Sequence, residues 1–347
     1  MVLDMESKNE IAWWKTNIHS SYNVITIPPP EFFINTDASL LGWGCAFDSQ
    51  TTGGQWSDSE ASLHINVLEL KAILFSIKSF LNSLSNVHIR IRSDSSTAVH
   101  YINNLGGVKS IPCHKVTKDI WLWAIKRGNL LSAEFLPGQL NVVADKASRI
   151  FDENTEWQIS VSVFDKISDN FGPFDIDLFA SRLNTKCKEY CSWKPDPNAK
   201  FIDAFSACWN EYEKPYMFPP FSIIMKTLQK ICQDQTPLAV IVTPLWTTQP
   251  WFPKMMRMLI ASPLVLPMGV LTLPFKKLAV HKQHKNLRLI ACCLSGISIR
   301  SKEFRNRLSL SSVHHGETQP NFNMRDILKN GFISAVEGKL IPCLIMR

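Results

Sequence analysis

The sequence lacks a long, uninterrupted apolar run. Its most apolar window, residues 259–273, is shorter than a membrane-spanning helix and is broken by Pro263 and Pro267. The chain also begins with polar and acidic residues, where a secretory leader needs a basic and then an apolar stretch. These absences argue against a membrane or exported protein. They predict a soluble intracellular protein with no membrane partner.

A second pair of cysteines at metal-binding spacing is missing as well. Cys187 lies close to Cys191, and Cys292 is followed directly by Cys293, but no second pair follows either of them at the distance of a zinc site. The total of nine cysteines is odd and shows no paired framework, which indicates reduced thiols. The sequence therefore argues against both a structural zinc site and a disulfide scaffold.

Neither sign of charge dominates the composition. The 37 lysines and arginines exceed the 30 acidic residues by enough to give a formal net charge of +7. That balance suits a polyanionic partner such as nucleic acid, and it suits a plain solvated surface equally well. At 347 residues the chain is long for one small domain, and its length predicts two domains of about 150 residues each.

Acidic residues stand at the ends of two predicted strands. Residues 31–36 read as a strand that ends at Asp37, and residues 88–93 read as a strand that ends at Asp94. The carboxyl ends of neighbouring strands meet at the edge where open α/β sheets usually bind ligands. The two carboxylates are therefore expected to lie close together.

Two more acidic residues fall on predicted helices. Residues 66–84 form a long amphipathic helix with Glu69 in its first turn, and residues 141–150 form a shorter helix that carries Asp145. If these helices flank the two strands, four carboxylates converge. Such a cluster repels itself unless cations occupy it.

The order of the predicted elements indicates an α/β protein. In the first half of the chain the order is three strands, helix, strand, helices, strand and helix, which predicts a mixed sheet flanked by helices. A smaller α/β unit follows, and from about residue 276 a composition rich in Lys, His, Arg and Ser predicts a poorly ordered basic tail. The expected segments are a lead-in containing a packing helix (1–30), a first domain (31–158), a second domain (164–275) and the tail (276–347).

Short phrases surround the four carboxylates in a fixed order. They are Thr36-Asp37-Ala38-Ser39 before Gly42-Trp43-Gly44, Gly53-Gly54-Gln55-Trp56-Ser57, His64-Ile65-Asn66-Val67-Leu68-Glu69-Leu70, Tyr101-Ile102-Asn103-Asn104, Leu136-Pro137-Gly138, and Asn141 through Ala144-Asp145 to Ser148-Arg149. Together they resemble the ribonuclease H domain of retroelement polyproteins, most closely that of DIRS-like, tyrosine-recombinase retrotransposons, and the resemblance covers roughly residues 10 to 158. A chance match of several phrases at fitting intervals is a poor explanation.

The resemblance implies hydrolysis of the RNA strand of an RNA–DNA hybrid by two divalent ions. Hard oxygen ligands select Mg²⁺ or Mn²⁺. By the family's pattern Asp37 would bridge both ions, Asp145 would help hold the ion that activates water, and Glu69 with Asp94 would hold the other. The implied partners are the hybrid itself and the reverse transcriptase and tyrosine recombinase of the same element.

Three positions depart from the family's pattern. Phe135 stands where many relatives have a histidine that assists product release, Ser95 stands where Asn usually follows the third carboxylate, and Ala147 stands where Leu is usual. These changes are expected to slow turnover, to weaken the orientation of Asp94 and to remove core volume under the last helix.

A second set of phrases lies in residues 174–256. It comprises Asp175-Ile176-Asp177-Leu178-Phe179-Ala180-Ser181, Ser192-Trp193-Lys194-Pro195-Asp196-Pro197, Phe218-Pro219-Pro220-Phe221 and Pro244-Leu245-Trp246. The set resembles the Dam-like adenine methyltransferase module of phages and DIRS-like elements. In that family Asn or Asp before Pro-Pro accepts hydrogen bonds from the target amine, whereas Phe218 has no acceptor. Because no glycine-rich turn for S-adenosylmethionine is present either, we expect a degenerate methyltransferase fold kept as a structural or nucleic-acid-binding module.

Two other functions stay open at this stage. One is a catalytically decayed or domesticated retrotransposon fragment that binds nucleic acid without cleaving it. The other is an active adenine methyltransferase, which would have to bind S-adenosylmethionine. The basic stretch at residues 275–288 suits phosphate contacts and suits a solvated linker equally.

Overall fold

The computed structural model describes residues 3–19, 27–151, 156–274, 287–308 and 333–346. It confirms the α/β class, with a five-stranded and an eight-stranded mixed sheet flanked by helices. We call residues 27–151 the N-terminal unit and the described residues from 156 onward the C-terminal unit. In the described parts of the chain, no helix combines the length and apolar character that crossing a bilayer requires.

The sheet of the N-terminal unit has the strand order β3-β2-β1-β4-β5. Its first three strands are antiparallel neighbours, and β4 and β5 run parallel to β1. The strands are β1 (Phe32–Ala38), β2 (Gly42–Phe47), β3 (Gln50–Gln55), β4 (His88–Ser93) and β5 (Leu130–Phe135). Since β1 and β4 are parallel neighbours, their carboxyl ends lie at the same edge of the sheet.

Helices cover both faces of this sheet. They are α2 (Asp58–Ala61), α3 (Ile65–Phe80), α4 (Ser96–Asn103), α5 (Ile111–Ile125) and α6 (Val142–Arg149), and α1 (Met5–Asn17) precedes them. The apolar stripe of α3, which includes Ile73 and Ile77, is fully buried in the core between the sheet and α5. His64 caps the start of α3 by accepting the backbone N–H of Asn66 at 3.2 Å.

The lead-in helix is present, but it does not pack as expected. Most of its described side chains are exposed, and Trp14 is 56% exposed. An ion pair of 2.7 Å between Glu10 and Lys118 joins α1 to α5. The pattern around Trp13 and Trp14 therefore predicted a helix correctly and its burial wrongly, because its apolar residues do not share one face.

Helix α6 lies directly on the backbone of β2 and β3. A Cβ atom on Gly44 would lie 2.3 Å from the Ala144 carbonyl oxygen and 2.4 Å from the Ser148 nitrogen. A Cβ atom on Gly53 would lie 2.5 Å from the Ala147 carbonyl oxygen. Any side chain at either position would push the helix away, so glycine is required for this close approach.

Gly44→Ala is therefore expected to destabilise the protein by about 1–3 kcal/mol or more, because the atoms it meets are backbone atoms that cannot rotate away. Gly54→Ala in the neighbouring strand is the matched control, since its Cβ would meet only the Trp43 side chain, at 3.2 Å. Urea unfolding of both variants measures the difference. Equal stability of the two would contradict the close packing of α6.

The sheet of the C-terminal unit has the order β17-β12-β14-β11-β10-β7-β8-β9. The run from β11 through β9 is parallel, and β14 is antiparallel to both of its neighbours. The strands are β7 (Ile176–Asp177), β8 (Glu189–Ser192), β9 (Phe201–Ile202), β10 (Pro215–Met217), β11 (Ala239–Pro244), β12 (Leu264–Val265), β14 (Leu289–Leu294) and β17 (Leu344–Ile345). Two short pairs accompany the sheet, β6 (Gln158–Ile159) with β13 (Leu271–Thr272) and β15 (Ile333–Val336) with β16 (Lys339–Pro342).

The helices of this unit are α7 (Val161–Phe171), α8 (Ile224–Gln233), α9 (Trp251–Arg257) and α10 (Ser298–Asn306). The core contains Trp209 and Met217, both fully buried, on one face of the sheet. On the other face Val163 and Ile167 of α7 pack against Val240. Residues before 164 thus contribute to this core.

The prediction of a poorly ordered basic tail from residue 276 is wrong for the residues that the structure describes, because some of them belong to this sheet. All six residues of Leu289–Leu294 are buried in β14, which lies between β11 and β12. The described residues after 287 also supply α10, the edge strand β17 and the separate β15–β16 pair, and the second sheet has eight strands against five in the first. The basic stretch at 275–286 lies outside the described residues.

Candidate active site

Three of the four predicted carboxylates come together at one edge of the N-terminal sheet. Asp37 belongs to β1, Asp94 follows the last residue of β4, and Glu69 is in the first turns of α3. One oxygen from each lies within 4.8 Å of the other two. Asp37 and Glu69 are buried and Asp94 is half-buried, so the group is an acidic cluster whose most exposed member is Asp94.

Asp145 stands outside this group of three. Its Oδ1 accepts from the Arg149 guanidinium at 2.7 Å, within α6, and its side chain is 43% exposed. It remains near enough to act on Asp37. Burial raises the pKa of Asp37, the Ser148 hydrogen bond opposes that rise, and the charges of Asp94 and Asp145 add to it.

Ser148 connects α6 to the carboxylates. Its hydroxyl donates to Asp37 Oδ2 at 2.6 Å, and its carbonyl accepts from Ser39 Oγ at 2.7 Å. Asn141 Nδ2 donates to the Thr36 carbonyl at 2.9 Å and holds the other end of the helix. The sequence phrase from Asn141 to Arg149 contained Ser148, but no role for Ser148 was predicted from the sequence. Its position three residues after Asp145 could have indicated one, because that spacing puts both side chains near one face of the helix.

Glu69 is the electrostatic centre of the site. It is 7% exposed, and its Oε2 has no hydrogen-bond partner among the described residues. Burial first, and then the charges of Asp37 and Asp94, raise the pKa of Glu69 to about 8, against the lowering effect of the Ala38 backbone N–H. Without a cation this carboxyl therefore keeps its proton at neutral pH. An unpartnered carboxylate oxygen beside two more carboxylates fits a hard divalent cation such as Mg²⁺ or Mn²⁺.

Phe135 and Ser95, two of the positions that depart from the family's pattern, lie at the ends of elements near the cluster. Phe135 ends β5 and is 55% exposed. Ser95 caps α4 by accepting the backbone N–H of Ala98 at 3.3 Å, so it is engaged with the helix rather than with Asp94. The loop after β5 closes over Asp94, since a Cβ atom on Gly138 would lie 3.1 Å from Asp94 Oδ2.

The Phe-Pro-Pro-Phe phrase of the C-terminal unit lies at the carboxyl end of β10. Phe218 is half-buried, and its ring centroid lies 6.4 Å from that of Phe221. Phe221 in turn packs edge-on against Trp246, with centroids 5.4 Å apart. The side chain at 218 thus joins an aromatic cluster and offers no oxygen to a target amine.

Comparisons with known proteins give one family match and several similar solved structures. Residues 147–260 match the family described as DNA N-6-adenine-methyltransferase (Dam). No curated protein matches the sequence. Similar solved structures include LC11-RNase H1 in complex with an RNA/DNA hybrid, at 19% identity and a TM-score of 0.29, covering 34% of this chain and 93% of that chain.

Two further solved structures are similar to the chain. The N-terminal RNase H domain of a Mycobacterium tuberculosis protein, solved as a fusion with maltose-binding protein, has 15% identity and a TM-score of 0.28, covering 33% of this chain and 94% of that chain. Prototype foamy virus protease-reverse transcriptase has 13% identity and a TM-score of 0.20, covering 46% of this chain and 23% of that chain.

Without divalent cations, the free energy of unfolding is expected to fall as the pH rises from about 5 to about 8. Folding raises the pKa of Glu69 from 4.5 to about 8, so in this window the folded protein holds a proton that the unfolded chain has released. Each pH unit then costs about 1.4 kcal/mol. Urea unfolding at a series of pH values in EDTA measures the slope.

Glu69→Gln is the control for this slope, because it removes the titrating group and keeps the shape. We expect it to remove most of the slope, and saturating Mg²⁺ to reduce the slope of the parent protein by favouring the ionised form. The same slope in parent and variant would show that Glu69 does not titrate abnormally.

Proposed function

We propose that the N-terminal unit is a metal-dependent endonuclease of the ribonuclease H type that hydrolyses the RNA strand of an RNA–DNA hybrid. The observation that carries this proposal is the cluster of Asp37, Glu69 and Asp94, with oxygens within 4.8 Å of one another. A cluster with two buried acidic members has no stabilising purpose of its own, which favours a functional role. The motif phrases around the same residues support the substrate class.

The cluster residues are the proposed ligands of Mg²⁺ or Mn²⁺, with Asp145 as the proposed fourth ligand when two ions are present. Bound divalent ions supply an activated water and neutralise the developing charge on the leaving oxygen. The protein's own contribution is position. Ser148 holds one oxygen of Asp37 by donating a hydrogen bond to it.

The proposed origin of the chain is a DIRS-like retroelement. The phrases around the carboxylates and those in the C-terminal unit together support it. On this proposal the partners beyond the hybrid are the element's reverse transcriptase and tyrosine recombinase, and the protein acts in the cytoplasm or nucleus. The C-terminal unit is proposed to be a degenerate methyltransferase, because Phe218 removes the acceptor that amine methylation needs.

A fragment that binds nucleic acid without cleaving it is the rival proposal. The pairing of Asp145 with Arg149 and the exposed Phe135 favour it. The raised pKa of Glu69 favours the nuclease, since burial and the neighbouring carboxylates act against the charged form unless a cation binds.

Cleavage of a labelled RNA–DNA hybrid in Mg²⁺ or Mn²⁺ tests the proposal. The RNA strand is expected to be cut, while duplex DNA and single-stranded RNA stay intact. Asp37→Asn is expected to reduce cleavage by at least about a hundredfold, since even the outer partners of metal ligands cost about 10–100-fold when mutated.

Asp48→Asn is the matched control. Asp48 is exposed in the turn between β2 and β3 at φ 51°, a conformation that Asn also tolerates. It should cleave like the parent protein. If the parent protein binds the hybrid but does not cleave it with either ion, the result would contradict the nuclease proposal and support the fragment that only binds nucleic acid.

A further inference from the structure

The C-terminal unit covers the edge strand of the N-terminal sheet. Strand β3 is the outer strand of that sheet, and its backbone oxygens are otherwise open on one side. Lys194 Nζ donates to the Gly53 carbonyl at 2.7 Å, and Thr52 Oγ1 donates to the Pro195 carbonyl at 2.6 Å. At this strand edge the contact therefore consists of hydrogen bonds to the loop that contains Lys194 and Pro195.

Arg182 also reaches across this boundary, through an ion pair, a hydrogen bond and a cation–π contact. Its Nη1 donates to Glu60 Oε2 at 2.9 Å and its Nη2 donates to the Gln55 carbonyl at 2.9 Å. The guanidinium also lies over the Phe75 ring, 4.6 Å from the centroid. The side chain of Arg182 is 14% exposed and that of Glu60 is 11% exposed, so the ion pair is shielded from water and salt.

The contacts of Arg182 lead to the helix that carries Glu69. Glu60 Oε1 accepts from Lys71 Nζ at 3.1 Å, and Lys71 is two residues beyond Glu69 in α3. Phe75, under the guanidinium, is one turn further along the same helix. Arg182 thus touches α3 directly through Phe75 and indirectly through Glu60 and Lys71.

The loops that make this contact follow β7 and β8, at the carboxyl edge where open α/β sheets usually take ligands. Here their polar groups are used to fix the loops. Asp196 accepts the Arg182 backbone N–H at 3.0 Å through Oδ2, and the Tyr190 hydroxyl through Oδ1. The carboxyl edge of the C-terminal sheet, where a ligand would usually bind, therefore contacts the N-terminal unit instead.

We propose that the C-terminal unit is an integral part of the nuclease, and that Arg182 is a positioning residue which fixes α3 and thereby the Glu69 carboxylate within the cluster. This inference rests on the proposed function of the cluster. It gives the methyltransferase-like unit a role that needs neither S-adenosylmethionine nor a target base.

The test uses the full chain with Arg182→Gln and Arg182→Lys. Lys200→Gln is the matched control, because Lys200 forms an exposed pair with Glu189 in the same unit, away from the boundary. Calorimetry measures Mg²⁺ affinity, and hybrid cleavage is followed as a function of Mg²⁺ concentration, below the melting temperature of each variant.

Arg182→Gln is expected to weaken Mg²⁺ binding by about tenfold, the lower end of the effect of losing a direct partner of a metal ligand, because Arg182 acts on Glu69 only through α3. High Mg²⁺ should restore much of its cleavage at a temperature where the variant is already folded without the ion. Arg182→Lys keeps the positive charge but loses the two-pronged guanidinium, so its Mg²⁺ affinity should lie between those of the parent protein and the Gln variant. Glu60→Gln should weaken Mg²⁺ binding about as much as Arg182→Gln does. Because the two residues form one ion pair, the double variant should bind Mg²⁺ little more weakly than either single variant.

Unchanged Mg²⁺ affinity in a folded Arg182→Gln protein would overturn the inference. If that variant does not fold, unchanged affinity in Arg182→Lys and Glu60→Gln would overturn it in the same way. A parent protein that binds Mg²⁺ but never cuts the hybrid would defeat the proposed function alone, because the calorimetric comparison still judges the role of Arg182.

Discussion

Repulsion among three carboxylates at one sheet edge is the constraint on which the rest of this structure depends. Asp37 and Glu69 are buried beside Asp94, in surroundings that disfavour their charged forms. The fold must hold them there against that repulsion. Parallel pairing of β1 with β4 brings two of them together, and the buried stripe of α3 commits Glu69 to the same place.

The surrounding contacts make sense as supports for that arrangement. Glycines in β2 and β3 let α6 lie on the sheet, and Ser148 then reaches Asp37 from the helix. On the opposite side, Arg182 anchors α2 and α3 from the C-terminal unit through Glu60 and Phe75. The carboxylates are thus held from both sides by backbone packing and by shielded hydrogen bonds.

Local patterns in the sequence were sufficient to predict much of the N-terminal sheet and the position of its carboxylates. The alternation in residues 88–93 predicted β4 with its observed bounds, and strand ends placed Asp37 and Asp94 at one edge. The pairing of Asp145 with Arg149 was not predictable, since it depends on side-chain conformation within α6. Strand β14 was missed because its apolar run is short and its flanks are basic, and the reach of Arg182 to Glu60 joins residues too distant in sequence for any local signal.

The most direct test of the central claim is anomalous diffraction from crystals of the protein grown or soaked with Mn²⁺. The account predicts a peak between the carboxylates of Asp37, Glu69 and Asp94 that is lost or weakened in Asp37→Asn crystals. A structure with these three carboxylates in place, at a saturating Mn²⁺ concentration and without a peak between them, would contradict it.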